Sequence, residues 1–245
     1  MKMAYATELV GTYFLVLTVG LTSLSQSPLA PLAIGSSLMI MVYMGGHVSG
    51  AHYNPAVTLA VWMRGKLGAR DVAPYWIAQL IGAVLAALTV VYLTGKTFAP
   101  APGADVTWGR AFAVEAIFTF ALALVMLNSA TARQTEKNSF YGLSIGFTIV
   151  VAAFAGGGIS GGAFNPAVGV GPILIDSLMS HGTLANLWLY IAAPLVGGAL
   201  AALFFRAQNP EPEPAAAIPS APPGEARVQP GDYTAPRPGG TPNSQ

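Results

Sequence analysis

The chain has 245 residues, of which 53% are hydrophobic and only 9% charged, against roughly 25% charged residues in a soluble domain. Eleven Lys and Arg nearly balance ten Asp and Glu, so no strong field exists to attract nucleic acid. With no cysteine and three histidines, disulfides, thiolate metal sites and thiol nucleophiles are excluded, and little is left to hold a metal or another cofactor. The composition predicts an all-α membrane protein surrounded by the lipid bilayer, with no cofactor.

A bilayer span needs about 20 mostly apolar residues. Six segments approach that length: residues 5–24, 31–47, 73–94, 108–128, 139–157 and 184–205. The first contains Glu8, is preceded only by Lys2 and lacks a convincing small-x-small cleavage pattern, so it reads as a retained span and not a signal peptide. Two further apolar runs, 55–63 and 166–175, lie after the second and fifth spans and are too short to cross. Lys2, Arg64, Lys66, Arg70, Arg133, Lys137 and Arg206 fall on one side of this arrangement, and only Lys96 and Arg110 on the other. By the positive-inside rule both termini are expected in the cytoplasm, in a plasma or inner membrane. Ten of the 19 prolines fall in residues 207–245, which predicts a disordered, Pro-rich cytoplasmic tail.

The chain repeats itself. Residues 46–57 read GHVSGAHYNPAV and residues 157–168 read GGISGGAFNPAV, and ATELVGTYFLVL around Glu8 parallels AVEAIFTFALAL around Glu115. The halves are assigned as residues 1–100 and 101–206. Each carries three spans, and an odd number makes the second half start on the opposite face of the membrane, so the 3+3 repeat is inverted. Short interrupted segments at matching positions of such repeats point to a transport pathway.

Asn is a strong N-cap and Pro suits the first helical position. Asn54, Pro55 and Ala56, and likewise Asn165, Pro166 and Ala167, therefore each announce the start of a re-entrant half-helix near mid-membrane. The glycines at 45, 46, 50, 156–158, 161 and 162 are expected to form an extended, closely packed strip leading into each. If the half-helices meet end to end, their positive dipole ends point at one spot and repel cations and hydronium. Each Asn would use its carbonyl as a cap and turn its amide NH2 to a passing oxygen, giving a conduit for neutral solutes that resists proton conduction. Glu8 and Glu115 stand at matched positions without a basic partner on the same span; they are expected to support the re-entrant backbone as hydrogen-bond acceptors. His47 is expected to pack through a hydrogen bond. Trp76, Trp108, Trp188 and Tyr190 read as anchors at the membrane surface.

Both NPA boxes, the two glutamates, the GHVSG and GGISGG strips, Gln79 and PLVGG at 194–198 together resemble the major intrinsic protein family, the aquaporins and glycerol facilitators. The resemblance covers about residues 4 to 206. It implies six transmembrane helices and two half-helices per subunit, one pore per subunit, and a homotetramer. Carrying the family's outer constriction over by spacing from the two asparagines gives Ile34, Ala153, Gly162 and Val168. Val168 stands where the family usually has Arg, and no Asp follows it because the next residue is Gly169. Losing that charge and its bulky partners is expected to widen the ring and make it apolar, passing polyols, ammonia, peroxide or gases besides water. The competing outcome is a greasy ring that dewets and conducts poorly. An ion-coupled transporter on an inverted repeat is the main rival function, although the spans offer no acidic cluster for a coupling ion. An enzyme is not expected, because no Ser-His, Asp-Asp or metal-ligand pairing falls at membrane depth.

Overall fold

The structure is a computed structural model, and it describes residues 2–210. Among these residues the architecture is all helical. Six helices are long and apolar enough to cross a membrane: α1 (Lys2–Leu24), α2 (Ala30–Ser49), α4 (Ala69–Thr94), α5 (Trp108–Ala130), α6 (Tyr141–Ser160) and α8 (Leu187–Gln208). The short helices are α3 (Pro55–Met63) and α7 (Pro166–Ser180). Several spans run a few residues beyond their predicted limits, since a helix continues into polar turns such as Ala69-Arg70-Asp71 that hydropathy alone leaves out.

The two short helices are unequal. Arg64 and Gly65, the latter at φ 80°, stop α3 at nine residues. No comparable break follows Pro172 in α7, which runs past its predicted end at 175 until His181 turns left-handed at φ 57°. Residues 207 and 208, assigned to the tail from sequence, complete α8. The tail from 211 onward lies outside the described residues.

The glycine strips differ from expectation. Gly45 and Gly46 lie within α2, and Gly156 to Gly158 within α6. The irregular backbone is confined to residues 50–54 and 161–165, and it is left-handed more than extended. Gly50 and Gly161 cap their helices at φ 85° and 90°; Tyr53 and Phe164 both sit at φ 48°. A left-handed residue other than glycine costs roughly 1–2 kcal/mol, so something must hold these two in place.

Packing follows the repeat. α1 packs on α2 and α4, α5 packs on α6 and α8, and α2 crosses α6. At that crossing Gly35 and Gly146, matched positions of the two halves, face each other so closely that a Cβ on either would strike the other's carbonyl oxygen. The short helices are exchanged: α3 lies against α8, and α7 against α4. The Tyr5 hydroxyl donates to Asp71 (2.8 Å) and Arg206 donates to the Met63 carbonyl (2.6 Å). The starts of α1 and α4 and the ends of α3 and α8 therefore share one face. A wide vestibule of about 810 Å³ lined by Lys66, Arg133 and Lys137 opens between the helices there. Large apolar side chains such as Ile77, Ile117, Phe147 and Phe204 remain exposed on the outer surface, as suits helices surrounded by hydrocarbon.

Candidate functional site

Each half-helix begins as its sequence dictates. Asn54 and Asn165 have extended backbone, and their Oδ1 atoms accept from the amides of Ala56 (2.8 Å) and Ala167 (2.9 Å), with proline next in line at the first helical position. The side-chain amides then cross between repeats. Asn54 Nδ2 donates to the Phe164 carbonyl at 2.9 Å, and Asn165 Nδ2 donates to the Tyr53 carbonyl at 2.8 Å. The two helix N-termini thus meet. An amide NH2 has two hydrogens, so one on each asparagine is spent on this cross-link and only the other is free for a permeant.

Buried carboxylates secure the left-handed backbone. Glu8 accepts from the amides of His52 (2.9 Å) and Tyr53 (2.7 Å) and from the Ser49 hydroxyl (2.7 Å). Glu115 accepts from the amides of Ala163 (3.0 Å) and Phe164 (2.6 Å) and from the Ser160 hydroxyl (2.7 Å). Left-handed residues curl successive N–H groups toward one point and so create a concave anion site. Both glutamates are fully buried. A tyrosine completes each junction: Tyr75 donates to the Ser49 carbonyl (2.8 Å) and Tyr190 to the Ser160 carbonyl (2.6 Å).

Asn54 and Asn165 face a lumen that is also lined by Ile34, Ala153, Gly162 and Val168. Those four positions, chosen by spacing, are therefore brought to one passage. On the other side of the asparagines Met126, Ile145 and His52 border both the lumen and the vestibule. The space open to the centres of water molecules is about 30 Å³, where one water needs roughly 10–15 Å³. Val57, Val168 and neighbouring aliphatic side chains line this narrow passage.

His47 is exposed on the vestibule wall and has no hydrogen bond among the described residues, so the packing role expected of it is not what its position supports. Because α2 stays helical to Ser49, positions 45 and 49 face inward and position 47 faces out. Two aromatic residues also depart from expectation. Tyr190 is fully buried, and Trp76 donates to the Pro55 carbonyl at 3.1 Å. Trp108 and Trp188 do pair near span ends, with ring centroids 5.6 Å apart.

Sequence reasoning gave His52 no role in the lumen. Its Nδ1 lies 3.2 Å from Thr58 Oγ1, Thr58 donates to the Asn54 carbonyl (3.0 Å), and Gln79 Nε2 donates to both Thr58 (2.9 Å) and Glu8 (2.8 Å). The available signal was the aligned boxes themselves, where His52 faces Ala163 and Thr58 faces Gly169.

The family model described as major intrinsic protein matches residues 1–205. A protein named glycerol uptake facilitator protein-like 6 from Lactiplantibacillus plantarum is 36% identical over 222 residues, covering 84% of this chain and 98% of its own length. A probable aquaporin, AqpM, from Archaeoglobus fulgidus is 37% identical over 185 residues, covering 71% and 73%. Among solved structures, the aquaglyceroporin from Plasmodium falciparum superimposes with a TM-score of 0.74 at 25% identity, covering 82% of this chain and 93% of that one. Matched along nearly all of its described length and sharing this architecture, the chain belongs to the major intrinsic protein family.

Proposed function

We propose that the chain is a passive channel for water and comparably small uncharged solutes. The observation that carries this reading is the meeting of two capped helix N-termini, cross-linked by Asn54 and Asn165, inside a narrow apolar lumen. Two convergent dipole ends oppose cations. The one remaining N–H of each asparagine can donate to the lone pairs of a single water, and a water so occupied cannot accept a proton from its neighbour. The aliphatic walls bind solute weakly, which favours throughput over retention.

The ring of Ile34, Ala153, Gly162 and Val168 serves in this reading as the outer constriction. It is closer to a greasy, water-sized passage than to an open one, so polyols rank below water and ammonia. Glu8 and Glu115 support the re-entrant backbone and do not relay protons, in keeping with the four hydrogen bonds that Glu8 accepts and the three that Glu115 accepts. Both acids of the spans are thus committed to the backbone and not to a coupling ion, and the reading is of a conduit and not an enzyme. By the positive-inside rule the vestibule, with Lys66, Arg133 and Lys137, faces the cytoplasm together with both termini. The repeats at 1–100 and 101–206 and a homotetrameric assembly complete the proposal, the latter on family resemblance.

Stopped-flow measurement on reconstituted vesicles tests it. Water permeability should exceed that of empty vesicles, stay linear in the osmotic gradient and leave an internal pH dye unmoved. Val168→Arg should narrow the outer ring further and lower water flux, by filling the ring with a bulky side chain. Saturating, pH-coupled flux would instead indicate a carrier.

A further inference from the structure

The basic residues on the vestibule face fall into two groups. Lys66, Arg133 and Lys137 line the vestibule, whereas Arg64, Arg70 and Arg206 are not among the described residues that line it. Two of these arginines are placed reciprocally where α3 and α8 end together. Arg206 donates to the carbonyl of Met63, the residue before Arg64, at 2.6 Å. The Arg64 guanidinium in turn lies 4.9 Å from the ring centroid of Phe205, the residue before Arg206. Each arginine holds the other's neighbour, so both guanidinium groups are brought to one corner. The positive-inside rule asks for basic residues on this face, but it does not ask for two of them anchored in this way outside the vestibule.

That corner carries positive charge with no free acid to answer it. Among the described residues, Asp71 is the one carboxylate on α3, on α8 and in the turn from 64 to 71. It accepts from the Tyr5 hydroxyl at 2.8 Å, and Arg70 lies 3.9 Å from its other oxygen. Arg64 makes no side-chain hydrogen bond among the described residues, and its Nε is shut away from solvent, a desolvation cost that none of them offsets. A guanidinium presents five N–H donors in one plane, and Arg206 spends one on Met63. What remains of the two forks suits a phosphate, which can accept parallel pairs of bonds. Within a turn of the arginines, Trp62, Leu203 and Phe204 stay exposed, on helices that hydrocarbon surrounds. Charge at the height of the headgroups thus adjoins an apolar surface, a combination that fits a lipid better than a free anion.

We propose that the corner formed by Arg64 and Arg206 is a binding site for one anionic phospholipid of the leaflet on the vestibule side. The two guanidinium groups hold its phosphate, Arg70 adds attraction at longer range, and an acyl chain lies along Trp62 and Leu203. A lipid whose headgroup cancels its phosphate with an ammonium has no net charge to offer the cluster and binds less tightly. The site lies outside the permeation path, so the assignment stands apart from the channel reading.

The test titrates the purified full-length protein in detergent with phosphatidylglycerol and with phosphatidylcholine of the same acyl chains, counting lipids retained per subunit by native mass spectrometry. Phosphatidylglycerol should bind about tenfold more tightly, the scale of one charge-assisted hydrogen bond. The Arg64→Gln/Arg206→Gln variant should lose that preference. Arg64→Lys/Arg206→Lys should keep only part of it, because the charge stays while the planar fork is gone; this pair also keeps the question answerable if the glutamine variant fails to fold. Lys66→Gln/Lys137→Gln, on the vestibule wall, should change the preference by less than about twofold. Equal affinity for the two lipids, an undiminished preference in either arginine variant, or an equal loss in the vestibule variant would overturn the proposal. So would displacement of phosphatidylglycerol by inorganic phosphate at the same concentration, which would mark a site for free anions.

Discussion

The two re-entrant junctions share a backbone and differ in the side chains around it. At the second, Glu115 has three donors, all from residues 160–164, and the surroundings are apolar: Gly169, Pro194 and an edge-on contact between Phe118 and Phe164 at 5.5 Å. At the first, Glu8 holds the same three groups and also Gln79, which brings in Thr58 and through it His52. The shared part, a carboxylate, a serine and a tyrosine, is what an irregular backbone at membrane depth requires. The polar surplus of the first junction is not needed for that task, since the second does without it, and so it is free to face the lumen.

Removing the carboxylates probes the comparison most severely. Glu8→Ala and Glu115→Ala each strand two buried amides and a serine, at a cost of about 3–5 kcal/mol. Glu8→Ala should be the worse, because Gln79 loses its partner as well; thermal unfolding in detergent should rank the midpoints parent, Glu115→Ala, Glu8→Ala. Identical midpoints for the two would mean that the extra contact contributes nothing. At the asparagines the asymmetry should vanish. Asn54→Ala and Asn165→Ala each lose a cap and one cross-repeat bond, about 2 kcal/mol together, and the double variant should cost less than the sum because the two sites share one contact region. Additivity within error in calorimetry would show that the caps act independently. The smallest effect belongs to the tyrosines. Tyr75→Phe and Tyr190→Phe should each cost about 1 kcal/mol, measured as a shift of unfolding midpoint, and a silent Tyr190→Phe would remove it from the list of supports.

Much of this was legible in the chain. Asn-Pro at two matched positions gave both half-helix starts, and six apolar runs gave six membrane helices whose limits moved by only a few residues. Glu8 and Glu115 stood out because an unpaired acid in an apolar span is costly. What stayed hidden is long-range. The bonds from Asn54 to Phe164 and from Asn165 to Tyr53 join residues more than a hundred positions apart, and periodicity holds no record of them. The left-handed turns at Tyr53 and Phe164 were hidden as well, since bulky aromatics give no local hint of that conformation. The outward turn of His47 followed from α2 continuing to Ser49, a boundary that a glycine-rich stretch leaves ambiguous.

The reciprocal asparagine bonds bear on how the protein is made. Each amide finds its acceptor only in the opposite half, so the half emerging first from the ribosome must wait in the bilayer with one polar group unanswered. Since α3 also rests against α8, the last helix among the described residues, the early half-helix has no complete seat until the second half has been made. Insertion can proceed helix by helix, but the two half-helix starts can bond to each other only once both halves are present.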